Sequence, residues 1–415
     1  MIRDFFKLIS VAEFIARLGE FPVLTCEHLP LEQTLGRVLA QESISAEHLP
    51  SFGRSTVDGY AVRAADTFGC SESELALLHI TGEVPMGALP GTEPVRPGNA
   101  VRLWTGGALP PKADAAVMLE YTQQLDPHTI GIFRPVAPGE NCIRAGEDVM
   151  AGSCVLPAGH LLRPQDMGVL AGLGVTALMV HRRPQVAIIA TGDELVPYAH
   201  TPQGGQIRNM NSVMLAGLVR QAGGEPHIYG ICPDNFERLR ALCATALEQS
   251  DVVLLSGGTS VGQRDFTRDV FAALGAEIMV HGVAIKPGKP TILARQGNKA
   301  LFGLPGHAAS AMITFMLFVR PLLRGLSGLP YTHGLRTVRA ITEYQMPSSM
   351  GREDYLCVQL LDQDRAALPL ARPVLGKSGL LTPLVRAHGL LPIGRDVEGL
   401  DSGVETDVLL FPEQY

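Results

Sequence analysis

Between residues 184 and 326, short apolar runs alternate with stretches of helical periodicity, and no other feature of the chain constrains the fold as strongly. The runs are VAIIA from 186, HIYGI from 227 and DVVLLSGG from 251. Helical spacing of apolar residues falls at 211–222, 235–249, 265–274 and 307–326. A strand followed repeatedly by a helix predicts right-handed crossovers and a mainly parallel sheet covered on both faces. Ligands of such sheets lie beyond the carboxyl ends of the strands.

The flanks read differently. Residues 10–19 form an amphipathic helix pattern: Ser10 and Glu13 make a capping box, and Val11, Phe14, Ile15 and Leu18 fall on one face. A second short helix is expected across 31–40. From Ile44 to about Asp148, apolar runs broken by Pro and Gly, as in VPMGALPGTEP, suit strands joined by turns. Residues 149–182 carry more turns and a helix pattern at 164–173, and this stretch can rejoin the N-terminal helices in space. Beyond 331, RTVRAIT, YLCVQLL and DVLLFPE alternate in strand fashion while helix signals fade, which implies a small all-β domain. The expected architecture is therefore multidomain α/β and β: a split helical/β domain over 1–45 and 149–182, a β-rich domain over 46–148, an α/β domain over 183–330 and a β domain over 331–415. At 415 residues, length alone suggests about three domains of roughly 150 residues.

Charge and cysteine usage narrow the function classes. With 34 basic against 41 acidic residues the net charge is −7, which gives no global field for nucleic acid or an anionic membrane. The seven Cys contain no CxxC pair and no HExxH accompanies them, so neither a disulfide framework nor a structural zinc site is expected. Isolated Cys are expected as small buried apolar residues in a reducing cytoplasm. The apolar windows 167–180 and 308–319 are shorter than the roughly 20 residues that cross a bilayer, and Asp4, Lys7 and Glu13 interrupt any leader-like start.

Four segments of the α/β region end an apolar run with Gly and polar residues: ATGDEL at 190–195, SGGTSVGQRD at 256–265, IKPGKP at 285–290 and GLPGHAAS at 303–310. All four should converge on one sheet edge. In SGGTSVG the small residues Ser256, Gly257, Gly258 and Ser260 let main-chain N–H groups approach an anion, and a helix starting near Asp265 adds its positive end. Lys286 and Lys289 flank Pro287 and Gly288, so two ammonium groups can face an anion on a stiffened loop. Asp193, Glu194, Asp234 and Asp265 supply carboxylates on neighbouring loops, and oxygen donors without imidazole or thiolate suit Mg²⁺. Each is also readable as an ordinary turn residue or helix-start carboxylate. In the β-rich segment, Asp58 and Thr105 stand before glycines. GKS at 376–378 is not a phosphate-binding P-loop, because position 371 is Ala where that loop needs Gly.

Taken in order, the strings STVDGYAVRAAD, RLWTGGALP, RAGEDV, ATGDEL, SGGTSVGQRDF, IKPGKP, GLPG and GKSGLLTPLVRAHGLLP resemble the molybdopterin molybdenumtransferase family, which is related to the C-terminal domain of gephyrin. The resemblance implies a molybdopterin-binding fold for the α/β domain and a β-barrel for the C-terminal one. It implies insertion of molybdenum from molybdate into adenylylated molybdopterin, with Mg²⁺ present and AMP released. It also implies a cytoplasmic homodimer whose cleft lies between the third domain of one subunit and the second of the other, with other molybdenum-cofactor biosynthesis proteins as further partners, and no nucleic acid or membrane. On this resemblance Asp58, Thr105 and Asp148 enter the cleft or its margin. Glu194, Asp234 and Asp265 serve as metal and pterin ligands, and Ser256, Gly257, Gly258, Ser260 and Pro305 cradle the pterin nucleotide. Lys286, Lys289, Arg352 and Ser378 hold molybdate. The chain departs from the family at His307-Ala308, where Asn-Pro is usual after GLPG, at Gly53-Arg54, and at Arg208. The departure at His307-Ala308 keeps open a non-catalytic pterin-binding scaffold, and a molybdopterin adenylyltransferase stays open because that activity uses a fold resembling the third domain, although the second- and fourth-domain motifs count against it.

Overall fold

The computed structural model describes residues 8–257, 266–363, 367–376 and 379–412. Contacts divide the chain into two compact units, one of Leu29–Leu35 and Gln41–Leu178, the other of Met1–His28, Gly36–Ala40 and Met179–Tyr415.

The smaller unit is built on a six-stranded sheet of β1 (Gly59–Val62), β2 (Ala76–Val84), β3 (Asn99–Leu103), β4 (Ala115–Met118), β5 (Thr122–Asp126) and β6 (Thr129–Ile132), in the order β4-β1-β3-β2-β6-β5. Of these neighbours only β2 and β3 run parallel. Gly59 is required where β1 crosses β4, because a Cβ there would stand 1.8 Å from the Val117 carbonyl oxygen. Tyr60, Val62, Leu78, Ile130 and Ile132 close the core on one face. A helix at Pro164–Gly172 follows the expected 164–173, its start held by Asp166, whose carboxyl lies far below the usual range because Arg163 and His160 bond to it.

The expected helix at 31–40 does not form. The chain makes only a 3-10 turn at Leu31–Gln33, where the Thr34 N–H and hydroxyl both donate to the Leu31 carbonyl at 3.1 and 2.6 Å. Gly36 then adopts φ +70°, which ends any helical continuation. The local hydroxyl bond competes with propagation as Thr bonds commonly do.

In the larger unit, β7 (Gln185–Thr191), β8 (Glu225–Cys232), β9 (Val252–Ser256), β10 (Glu277–His281), β11 (Ile292–Gln296) and β12 (Lys299–Leu304) form a sheet in the order β8-β7-β9-β12-β11-β10. The pairs from β8 to β12 are parallel, and β11 and β10 add antiparallel. Successive strand residues separate onto opposite faces, as a pleat requires. Val186, Ile188, Val252 and Leu254 pack in one core, while Ala187, Ile189, Val253 and Leu255 pack in the other. Helices α1 (Val11–Leu18), α2 (Asn211–Gln221) and α5 (Ala308–Leu326) cover the first face, and α3 (Phe236–Gln249) and α4 (Thr267–Ala273) the second. The expected double coverage is thus observed.

Helix α1 carries the expected box: the Glu13 N–H donates to Ser10 Oγ at 3.2 Å, and the Ser10 N–H donates to Glu13 Oε2 at 2.7 Å. Its buried Phe14 stacks on Phe318 of α5 with ring centroids 4.0 Å apart. At 19 residues α5 is longer than the apolar window 308–319 suggested, and by length and composition it could cross a membrane, but 83% of its most apolar window is buried inside the fold. Its middle turn, Phe315–Val319, is a π-helix, and all five of those residues are buried.

After α5 come β13 (Thr337–Thr342), β14 (Glu353–Leu361), β15 (Leu370–Pro373), β16 (Gly389–Ile393) and β17 (Glu405–Leu410). They close into a barrel, since β14 pairs with β16 as well as β15. Closure leaves no sheet edge to template foreign pairing. A one-turn helix at Thr382–Arg386 interrupts the strand pattern and was not signalled by it. None of the seven cysteines is disulfide-bonded, but only Cys232 and Cys243 are buried, so the expectation of buried thiols fails for the other five.

Phe14→Ala should destabilise the larger unit by about 3–5 kcal/mol, the cost of an aromatic cavity. Hydrogen exchange of β7 and β9 amides along a urea series would read it, and an unchanged transition would mean that the core does not depend on Phe14.

Candidate functional site

Strands β7, β9 and β12 are adjacent and parallel, so their carboxyl ends at Thr191, Ser256 and Leu304 place ATGDEL, the start of SGGTSVG, and GLPG side by side. A cleft of about 900 Å³ opens there, lined among others by Thr191, Glu194, Asp234, Ser256, Gly257 and Pro305. The backbones meet closely. Gly257 has φ +107°, and a Cβ on it would fall 2.3 Å from the Thr191 carbonyl oxygen. Its N–H donates to the Leu304 carbonyl at 3.2 Å.

Asn211 fastens this junction. Its Nδ2 donates to Ser256 Oγ at 2.9 Å and to the Gly306 carbonyl at 2.7 Å, tying the first turn of α2 to the ends of β9 and β12. Helices α2 and α5 both begin on the cleft, with Met210, Asn211, His307 and Ala308 in its lining. The positive ends of the two helix dipoles therefore bear on the same space, which favours an anionic ligand.

The acids are held at one side. Asp234 accepts from Thr191 Oγ1 at 2.9 Å, and its own N–H donates to Asp193 Oδ1 at 3.0 Å. Glu194 is exposed to the cleft, and its carbonyl accepts from the Ile207 N–H at 2.8 Å. Among the described residues no three acidic, His or Cys side chains gather as a metal cluster. Gly258, Ser260, Asp265 and Ser378 lie outside the described residues.

The expected cations take two positions. The Lys289 carbonyl accepts from the Val283 N–H at 2.9 Å, and the adjacent Pro290 lines the cleft, as does Gly379 from the segment after β15. Lys286 and Arg352 instead meet at Asp354, with Lys286 Nζ 3.5 Å from Oδ2 and Arg352 Nε 3.0 Å from Oδ1. Neither is among the residues lining the cleft. Gly288, at φ +114°, has no room for a side chain: a Cβ would stand 2.5 Å from Thr314 Cγ2.

In the smaller unit, Asp58 Oδ1 accepts from both the Thr105 N–H and the Thr105 hydroxyl, at 2.7 and 2.8 Å. These bonds hold the Asp58 carboxyl below the usual range. Asp148 is exposed, and its N–H donates to the Leu49 carbonyl at 3.1 Å.

Asn211 and Asp354 were not singled out from sequence. An Asn at a helix start is ordinarily a cap, and only its partners 45 and 95 residues away reveal a clasp. Asp354 sits in a strand whose alternation gives no hint of a buried charge.

Three family descriptions match the chain in order: "MoeA N-terminal region (domain I and II)" over residues 9–174, "Probable molybdopterin binding domain" over 187–325, and "MoeA C-terminal region (domain IV)" over 339–411. A Bacillus subtilis protein named molybdopterin molybdenumtransferase is 32% identical over 98% of this chain and 95% of its own length. One of the same name from a Nostoc species is 36% identical over 77% of this chain and 74% of its own. Among solved structures, a molybdopterin biosynthesis MoeA protein from Pyrococcus horikoshii superposes with a TM-score of 0.81 at 35% identity, covering 98% of this chain and 100% of that one.

Two outcomes are expected. Asn211→Ala leaves buried acceptors without a donor and should cost about 1–3 kcal/mol of stability in a urea titration; no loss would mean the junction does not depend on the clasp. For Asp58 the folded pKa is depressed, so the Thr105 bonds are fully present above the unfolded value and are lost as pH falls through the folded one. Carboxyl NMR should show Asp58 titrating below a free aspartate, and Thr105→Val should move it part of the way back.

Proposed function

Because the chain belongs to the molybdopterin molybdenumtransferase family, we propose that its cleft takes adenylylated molybdopterin and molybdate, joins molybdenum to the dithiolene sulfurs, and releases AMP. Molybdenum-cofactor biosynthesis by insertion of molybdenum into molybdopterin is the transferase activity of the named relatives. The adenylylated form of the substrate and the AMP product are our extension of it. The observation that supports this reading most is the cleft itself, where three parallel strand ends, two helix starts and the carboxylates of Glu194 and Asp234 face one space of about 900 Å³.

In this reading Ser256, Gly257, Gly258, Ser260 and Pro305 receive the pterin nucleotide, with close backbone approach made available by glycine. The lining offers the carboxylates of Glu194 and Asp234 and the hydroxyls of Thr191 and Ser256 beside the His307 imidazole, and one or two carboxylates together with substrate phosphates suit a hard cation. Glu194 and Asp234, with Asp265, would hold Mg²⁺, which when bound neutralises charge on the phosphoric anhydride. Lys286, Lys289, Arg352 and Ser378 are assigned to molybdate. The protein's own contribution is placement of an oxyanion beside the dithiolene and stabilisation of charge, and no side chain is required as a covalent nucleophile.

The four-part division into 1–45 with 149–182, 46–148, 183–330 and 331–415 belongs to the same proposal. So do a cytoplasmic homodimer, in which Asp58, Thr105 and Asp148 serve the cleft of a second copy, and association with other cofactor-biosynthesis proteins.

Purified protein given adenylylated molybdopterin, molybdate and Mg²⁺ should release AMP and yield active cofactor, and release no faster than without protein would sink the proposal. Asp234→Ala and Asp265→Ala should each lower the rate by about a hundredfold or more. Cofactor synthesis that persists in cells carrying Asp265→Ala would favour the scaffold reading, and ATP consumption with metal-free molybdopterin the adenylyltransferase.

A further inference from the structure

The barrel holds a buried acid whose place is explained neither by the cleft nor by packing. The Asp354 side chain is 0% exposed, whereas Lys286 and Arg352, the two cations that reach it, are 54% and 37% exposed. Arg352 donates from Nε to Oδ1 at 3.0 Å. Oδ2 is buried and accepts no hydrogen bond; its neighbour Lys286 Nζ, at 3.5 Å, holds it by charge alone. Burying a carboxylate with one oxygen unsatisfied is costly, and a buried ion pair is weak evidence for stability, since apolar residues of the same volume commonly do as well or better.

The backbone shows what the acid is placed to do. Ile285–Lys286 pairs in parallel with Glu353–Asp354, and the Glu353 N–H donates to the Ala284 carbonyl at 2.8 Å. This pairing joins the IKPGKP loop of the α/β region to the first turn of the barrel strand β14. Gly288 packs that loop against Thr314 of α5, and the Tyr355 hydroxyl donates to Glu353 Oε2 at 2.8 Å from the core side. The carboxylate is therefore fixed, while the two cationic heads above it are half solvated. Two like charges brought to one spot repel, and a fixed anion beneath them offsets that repulsion. Lys286, held by charge without a directed bond, keeps its N–H donors for another acceptor, and Arg352 commits only Nε to Asp354.

We propose that Asp354 is a positioning residue for oxyanion binding: a buried counter-ion that holds Lys286 and Arg352 side by side so that together they receive a tetrahedral dianion. The proposal rests on the assignment of those two cations to molybdate made above.

Equilibrium dialysis of the full chain with radioactive molybdate tests both levels. Lys286→Gln should weaken binding, and if it does not, the assignment of Lys286 to molybdate falls whatever Asp354 does. Given that loss, Asp354→Asn should raise the dissociation constant about tenfold in the native background and by much less when Lys286→Gln is already present. Unchanged or tighter binding by Asp354→Asn, or an equal loss in both backgrounds, overturns the proposal. In turnover the loss should fall on KM for molybdate, with kcat within about twofold, a split that general destabilisation does not produce. Should Asp354→Asn fail to fold, Arg352→Lys serves: it keeps the charge but not the Nε contact. Binding several-fold weaker supports the positioning role, and native affinity refutes it.

Discussion

The parallel pairing of β7, β9 and β12 is the constraint on which the rest of the larger unit depends. Adjacent parallel strands must all end on the same edge, so three loops far apart in sequence are delivered to one place without any ligand to gather them. The approach is closer than side chains allow. Gly257 lies against the Thr191 carbonyl, where a Cβ would stand 2.3 Å from the oxygen. Strands buried on both faces supply the rigidity: β7, β9 and β12 contribute to both cores, so the loop ends are set by packed elements and not by the loops' own preferences.

Charge is then placed locally against an unfavourable overall balance. A net charge of −7 would repel an oxyanion at long range, but exposed charges farther apart than about 8–10 Å are screened at physiological salt. What an anion meets is the pair of helix starts at Asn211 and Ala308, whose dipoles act within a turn. Lys286 and Arg352 gather on Asp354, while Glu194 and Asp234 stand at the end of β7 and just beyond β8, in a cleft that Arg208 also lines.

Much of this was legible in sequence, for identifiable reasons. Periodicity carried the α/β unit, because strands buried on both faces read as unbroken apolar runs and the helices between them keep a 3.6 period. The Ser10–Glu13 box was legible because its partners lie three residues apart. The failures have two physical causes, partners remote in sequence and competing local bonds. Thr34 diverts a helical pattern into a single 3-10 turn. Asn211 and Asp354 derive their roles from atoms 45 to 95 residues away or on a paired strand, which no local pattern encodes. Barrel closure through β14 and β16 is likewise a long-range property, and strand alternation alone could not distinguish it from an open sheet.

The departure at His307-Ala308 leaves the path of the chain unchanged and alters the mouth of the cleft. His307 precedes α5 at φ −69° and ψ 127°, extended backbone that needs no special residue, and Ala308 is the first helical position. Proline is favoured at that position because its fixed φ suits the helix start and the N–H it lacks has no partner within the helix. Alanine suits the same conformation, so the chain keeps its path without the stiffening ring. What changes is the chemistry of the mouth: Ala308 lines the cleft and carries an N–H where proline has none, and an imidazole stands where the family usually has an amide. The substitution therefore bears on what the cleft offers a ligand and leaves the junction of β9, β12 and α2 intact, since Asn211 holds that junction through Ser256 and Gly306, both N-terminal to the altered pair.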